Sequence, residues 1–219
     1  MSKRAGLWLV LVFCVSVLAQ LPASWIVSGL GLPATGVVGS LWQGQATQWG
    51  QLGLVRWHLQ PWRISGQVQA GFQGQDWQAQ VSGWPWAWRA ELAALGAQAR
   101  VPVGFRLAGQ WQGAISMQGS GWGCSAAQGQ LQAHDLALVE PWSLGLGRAT
   151  LQMDCSDGWN LSGTLQADGQ HHGRVDADLL RRQAKINLAL EPDTGLVPIL
   201  RGAQLLGMQA LQMQRRVSW

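Results

Sequence analysis

The residues that could do chemistry are few, and their spacing argues against a reaction. Four histidines stand at His58, His134, His171 and His172. His134-Asp135 and the run Asp168…His171-His172…Asp176 place imidazoles near carboxylates, the ingredients of a metal site or of acid–base catalysis. Their intervals match no zinc or di-metal pattern, and a polar turn through Gly169 accounts for the second group. His58 falls in an alternating segment, on the side expected to face solvent. No nucleophile stands beside a base, and no Gly-rich turn follows a strand and opens a helix, so no phosphate cradle is expected. The residues predict a protein that is not an enzyme, with no catalytic residues, metal ligands or cofactor.

Cysteine chemistry depends on compartment, and the N-terminus addresses that. Lys3 and Arg4 precede an apolar run, and Ala5–Leu21 is 17 residues long, the lower limit for crossing a bilayer as a helix. Positive charge in front predicts a cytoplasmic N-terminus with the rest of the chain exported. A retained anchor is favoured. A signal peptide cleaved after Ala19, at Val17-Leu18-Ala19, is the competing reading. Cys14 lies inside the apolar run as a small filler. Cys124 and Cys155, in GWGC and QMDC, are then a pair in an oxidising space, where a disulfide is expected and two buried thiols are the alternative.

Composition fits an extended fold. Charged residues are 12% of the 219 and there are 29 Gly and 15 Trp, whereas soluble domains carry about 25% charge. The 27 Gln outnumber the 26 Lys, Arg, Asp and Glu together, so amides fill the polar positions that charges usually hold. Net charge is +4. Setting Lys3 and Arg4 aside leaves 13 basic residues against 11 acidic, and the only later basic doublets are Arg181-Arg182 and Arg215-Arg216. A nucleic-acid surface needs a denser stripe, so no nucleic-acid partner is expected.

The elements that would carry these residues read as strands. Val55, Trp57 and Leu59 alternate with Leu54, Arg56 and His58. Val68-Ala70-Phe72 and Trp77-Ala79-Val81 alternate with mostly glutamine partners. Segments around Phe105–Trp111, Gly129–Ala137, Ala149–Met153, Trp159–Ala167, Val175–Leu179 and Ala184–Leu190 follow the same period of two, most of them bounded by Gly, Asp-Gly or Pro. That predicts a mainly β fold, an antiparallel meander with one apolar and one polar face. Two short helices are expected, at Trp88–Leu95, where Trp88, Leu92 and Leu95 form a stripe, and at Leu196–Leu206. The expected division is residues 1–31 as cytoplasmic N-terminus, anchor and interfacial flank, and 32–219 as one exported β domain. Trp84, Trp86 and Trp88 share a face if the chain is extended. They are read either as a partner- or membrane-facing patch or, preferably, as a cap on the core.

At Gly39–Ala46 the chain reads GSLWQGQA, and at Val55–Trp62 VRWHLQPW, just beyond Leu21-Pro22-Ala23. Gly39, Leu41, Trp42, Gly44 and Ala46, followed by Trp57, Leu59 and Pro61, resemble the motif of the type II secretion system protein N family. The resemblance is closest over Leu7–Ile64 and looser beyond. It implies a non-catalytic, single-pass protein of the bacterial inner membrane with its bulk in the periplasm, supporting export of folded proteins across the outer membrane. The partners it implies are inner-membrane lipid, the apparatus's inner-membrane protein C and the outer-membrane secretin. It carries over no catalytic residue. The alternative from another class is a periplasmic lipid-binding or lipid-transfer protein, in which an open groove-like sheet presents an apolar concave face.

Overall fold

The computed structural model describes residues 6, 8–10, 12–13, 16–17, 20–97, 106–140, 143–202, 204–207 and 209–219. The expectations resting on Lys3, Arg4, Cys14, Ala19 and Phe105 lie outside the described residues. The described part of the leader is helical at Gly6, Trp8–Val10, Val12–Phe13 and Ser16–Val17. Among the described residues no helix is long and apolar enough to cross a membrane.

After the leader come helix α1 (Ala23–Gly29) and, among the described residues, fifteen strands. The first five are β1 (Ala34–Thr35), β2 (Val38–Gly39), β3 (Gln43–Ala46), β4 (Gln48–Trp49) and β5 (Val55–Gln60). A 3-10 turn at Pro61–Arg63 leads to β6 (Ser65–Phe72), β7 (Gln75–Trp84), β8 (Ala87–Ala97), β9 (Arg106–Ser120) and β10 (Gly123–Glu140). Then follow β11 (Leu144–Asp154), β12 (Asn160–Ala167), β13 (His171–Asp178), β14 (Gln183–Leu190), helix α2 (Leu196–Gly202) and β15 (Gln212–Ser218). β1 and β4 pair with each other. The other thirteen form one sheet in the order β15-β14-β13-β12-β11-β10-β9-β8-β7-β6-β5-β3-β2. Each strand pairs antiparallel with its neighbours, so the meander read from the period-two pattern is the fold.

Register places side chains in rows that explain the composition. One face carries Trp57, Val68, Ala79, Leu92 and Ile115 as successive partners. Further along, Leu131, Leu151, Gly163, Val175 and Ile186 continue that face. The opposite face carries Gln45, Arg56, Gln69 and Gln78 in register, then Gln130 and Gln152. Gln69 Nε2 donates to Gln78 Oε1 at 3.4 Å and Gln152 Nε2 to Gln130 Oε1 at 2.7 Å. An amide both donates and accepts, so amides can stack across strands where like charges would repel. Thr150 and Thr164 share a hydroxyl–hydroxyl hydrogen bond on the same face.

The sheet curls toward its apolar face. Trp77 of β7 and Trp111 of β9 have ring centroids 5.7 Å apart, although two strand spacings amount to about 10 Å. Trp88 of β8 stacks on Trp159, just before β12, at 5.7 Å, across three intervening strands. Bulges within the β9–β10 pair and between β7 and β8 supply the local bending that such curvature requires. Ile115, Leu131, Met153 and Cys155 form the buried centre of this trough. The helices stopper its flanks. α1 buries Ala23 and Val27 over β5 and β6, while Val197 of α2, with Leu206, packs on Leu190.

The helix expected at Trp88–Leu95 is instead part of β8. Leu, Ala, Glu and Arg favour helices, but β8 lies between β7 and β9 with ladders on both sides, and those backbone bonds override a propensity difference of tenths of a kcal/mol per residue. Extended, the segment still separates apolar Trp88, Ala90 and Leu92 from Arg89 and Glu91. The helix expected over Leu196–Leu206 is shorter, ending at Gly202.

Candidate functional site

The residues singled out by motif gather where the leader meets the sheet. Gly39 closes β2 with φ +102°, where an added Cβ would sit 2.5 Å from the Gln43 carbonyl oxygen. Ser40 Oγ accepts the backbone N–H groups of Trp42 (3.3 Å) and Gln43 (3.2 Å), holding the β2–β3 turn. Across that turn Trp57 lies against Gly44, where a Cβ would meet the indole at 2.5 Å and the Val38 oxygen at 2.7 Å. The Trp57 indole N–H donates to Ser40 O at 3.2 Å. Ala46 is fully buried, Leu59 N–H donates to Trp42 O at 2.6 Å, and Pro61 opens the 3-10 turn after β5. Leu41 and Trp57 are the motif residues whose types suit a buried sheet face; Trp57 is in β5, but Leu41 is not in a strand. It is half-buried in the β2–β3 turn, and its N–H donates to Leu21 O at 3.1 Å.

With the Pro22–Ser40 bridge, that bond fixes the chain leaving the leader to the motif turn. Leu41, Trp57, Leu59 and Val68 line a cavity of about 390 Å³ beneath Ile26 and Val27 of α1. In the leader itself Trp8, Leu9, Val10, Val12, Phe13 and Val17 are all exposed, covered by nothing in the sheet.

A second feature lies along the end of the sheet where β5, β7, β9, β11, β13 and β15 finish. Trp62, Trp84, Trp86 and Trp122 stand exposed in successive turns there. Trp84 and Trp86 stack on each other at 4.9 Å, whereas Trp88 turns inward onto Trp159. The three tryptophans of WPWAW therefore divide between rim and core and do not share one face. Three hydrogen bonds join the turns: Gly121 N–H to Pro85 O at 2.7 Å, the Trp88 indole to Gly121 O at 3.0 Å and the Trp159 indole to Trp122 O at 2.8 Å. Trp62 and Trp122 were not legible as members of a set. The signal was a tryptophan beside Pro or Gly in PW, WPW and GW, recurring at every second turn.

Cys124 and Cys155 form a disulfide just inside this rim, with Cα atoms 5.4 Å apart. The neighbouring Asp154 carboxylate accepts the Ser156 N–H at 2.9 Å and its hydroxyl at 3.0 Å. These bonds, the backbone one foremost, hold its pKa below the ordinary carboxylate value.

Among the described residues the titratable groups do not converge. Asp168 pairs with Arg148 at 3.3 Å and Asp176 with Arg174 at 3.0 Å, both on the surface. The Arg174 guanidinium is raised above its ordinary value by the Asp176 hydrogen bond and then its charge. His171 is buried with Nε2 3.1 Å from Leu146 O, while His58, His134 and His172 are exposed. Among the described residues no three His, Cys, Asp or Glu side chains are placed to hold a metal ion.

A family model described as "Type II secretion system (T2SS), protein N" matches residues 30–212, beginning after the leader and extending far past the motif turn. No curated protein and no solved structure matches the chain.

Proposed function

Since this chain belongs to the type II secretion system protein N family, we propose that it is a non-catalytic inner-membrane subunit of that system, supporting export of folded proteins across the outer membrane. Residues 1–31 hold it in the inner membrane and residues 32–219 stand in the periplasm. The observation that carries the reading is the open sheet, whose far edge, β15, pairs among the described residues with β14 alone. Its outer backbone groups are available for strand addition by another subunit, and the other edge, β2, is only two residues long. The family's inner-membrane protein C and the secretin are the partners assigned to it. The Cys124–Cys155 disulfide fits an oxidising envelope compartment. The exposed apolar side chains of the leader fit a retained anchor.

Lipid carriage is the second reading, favoured by the apolar cavity beneath α1. Against a continuous lipid path, α1 and α2 cover the two flanks of the trough and Trp77, Trp111 and Trp159 fill its middle. Affinity purification of the tagged chain from membranes in mild detergent separates the two. Recovery of secretion subunits is the expected result, whereas stoichiometric acyl lipid without them would replace the scaffold by the carrier. Terminal sequencing should find residues before Gln20, and a mature chain starting at Gln20 would overturn the anchor.

A further inference from the structure

The exposed tryptophans are distributed unevenly. Outside the leader and α1 they are Trp62 (75%), Trp84 (54%), Trp86 (65%), Trp122 (92%) and Trp219 (58%). All five lie at the end where β5, β7, β9 and β15 finish. The described turns at the other end carry Gln73-Gly74 and Asp168-Gly169-Gln170, and no exposed tryptophan is found there among the described residues.

Indoles this exposed give up apolar contact unless something covers them. Two of the loops that carry them are tied down: the bonds joining Pro85, Gly121 and Trp122 to neighbouring turns and indoles hold those loops while the Trp86 and Trp122 rings stay exposed. Tryptophan pairs an apolar body with one N–H donor, which suits the head-group region of a bilayer.

What covers the rim is indicated by where the leader ends. Leu21 and Pro22 are bonded to Leu41 and Ser40, in the β2–β3 turn. Gln43, which follows that turn, pairs with His58 near the finish of β5. The apolar leader therefore joins the sheet at the tryptophan end and not at the opposite one. A membrane holding the leader lies beside Trp62, Trp84 and Trp86. Exposed Arg63 and Arg89 on the same rim add attraction for anionic head groups.

We propose that the tryptophan rim is a second membrane contact, seated in the interface of the bilayer that holds the leader, so that the strands rise from the membrane with the opposite end, which carries Asp168, outward. This inference rests on the anchor reading. A 17-residue leader is a marginal span, and a contiguous aromatic rim supplies a further hold and fixes the orientation of the sheet.

The test uses the full chain with Cys14→Ser and the native disulfide intact, reconstituted in vesicles of phosphatidylethanolamine and phosphatidylglycerol. Single cysteines at Trp62→Cys, Trp86→Cys, Val12→Cys and Asp168→Cys each carry an environment-sensitive fluorophore, with brominated lipid as quencher. Blue-shifted, quenched emission at positions 62 and 86, with position 168 unchanged, is the expected result. Quenching at 12 but at neither 62 nor 86 would overturn the rim contact and leave the anchor standing, with a protein then the occupant of the rim. Quenching at 62 and 86 without 12 would keep the rim and overturn the anchor. Quenching at none of the sites would overturn both, and quenching at 168 equal to that at 62 and 86 would overturn the proposed orientation.

Discussion

Cys124 and Cys155 are 31 residues apart in sequence, and the fold brings their Cα atoms to 5.4 Å, within the reach of a bridge. Closing such a loop stabilises by about 3–4 kcal/mol in the chain-entropy description, a large part of a typical net stability of about 5–15 kcal/mol. Cys124→Ser/Cys155→Ser should therefore lower the unfolding free energy by that amount in denaturant titration, with no further loss on adding reductant. The same corner contains a pH-dependent contribution. Because the Ser156 bonds depress the Asp154 pKa in the folded chain, its contribution is present above the unfolded carboxylate value and is lost as pH falls through the folded one. The wild type should melt above Asp154→Asn at neutral pH, and the gap should close in acid. A gap constant with pH would show that the carboxylate charge is not involved.

At the scale of the element, β8 is the instructive case. WRAELAAL satisfies a helical stripe through Trp88, Leu92 and Leu95 and an extended pattern through Trp88, Ala90 and Leu92 equally well. Periodicity over eight residues cannot separate the two. The choice is made by β7 and β9, which satisfy the backbone on both sides. The two patterns disagree about Leu95, which is 52% exposed beside the bulge, while Leu92 packs on the central cluster. Leu92→Ala should cost about 2–3 kcal/mol and Leu95→Ser no more than about 0.5 kcal/mol, measured by thermal or chemical unfolding. Comparable costs at both positions would restore the helical stripe. β5 to β7 and β11 to β14 were legible because apolar residues alternate along them and Gly, Asp-Gly or Pro bound most of them. By contrast, β9 and β10 were legible only around Phe105–Trp111 and Gly129–Ala137, and β15, whose QMQRRVS is mostly polar and exposed, was not. The motif turn was legible as GSLWQGQA but not in its geometry, since the contact of Trp57 with Gly44 joins residues 13 apart.

For the molecule as a whole, the order β15 to β5 follows the chain without a crossover. Stability is then a sum of nearest-neighbour contacts, much as in repeat proteins. Hydrogen exchange should be slowest in β9, β10 and β11, around Ile115, Leu131 and Met153, and fastest in β2 and β15, which among the described residues have a neighbour on one side only. Uniform protection across the sheet would contradict that gradient. Most of the longer strands, the two unlike faces and the family resemblance could be read from the chain in order, because each rests on local alternation, turn residues or short motifs. The two later cysteines could be read only as a candidate pair, with two buried thiols as the alternative, until the fold brought their Cα atoms to 5.4 Å. Tertiary structure alone decided that β8 is a strand, that the sheet curls until Trp88 meets Trp159, that α1 and α2 cover its flanks, and that the exposed tryptophans share the leader's end. Those outcomes depend on which surfaces meet across many residues, and a chain read in order does not contain distances between turns.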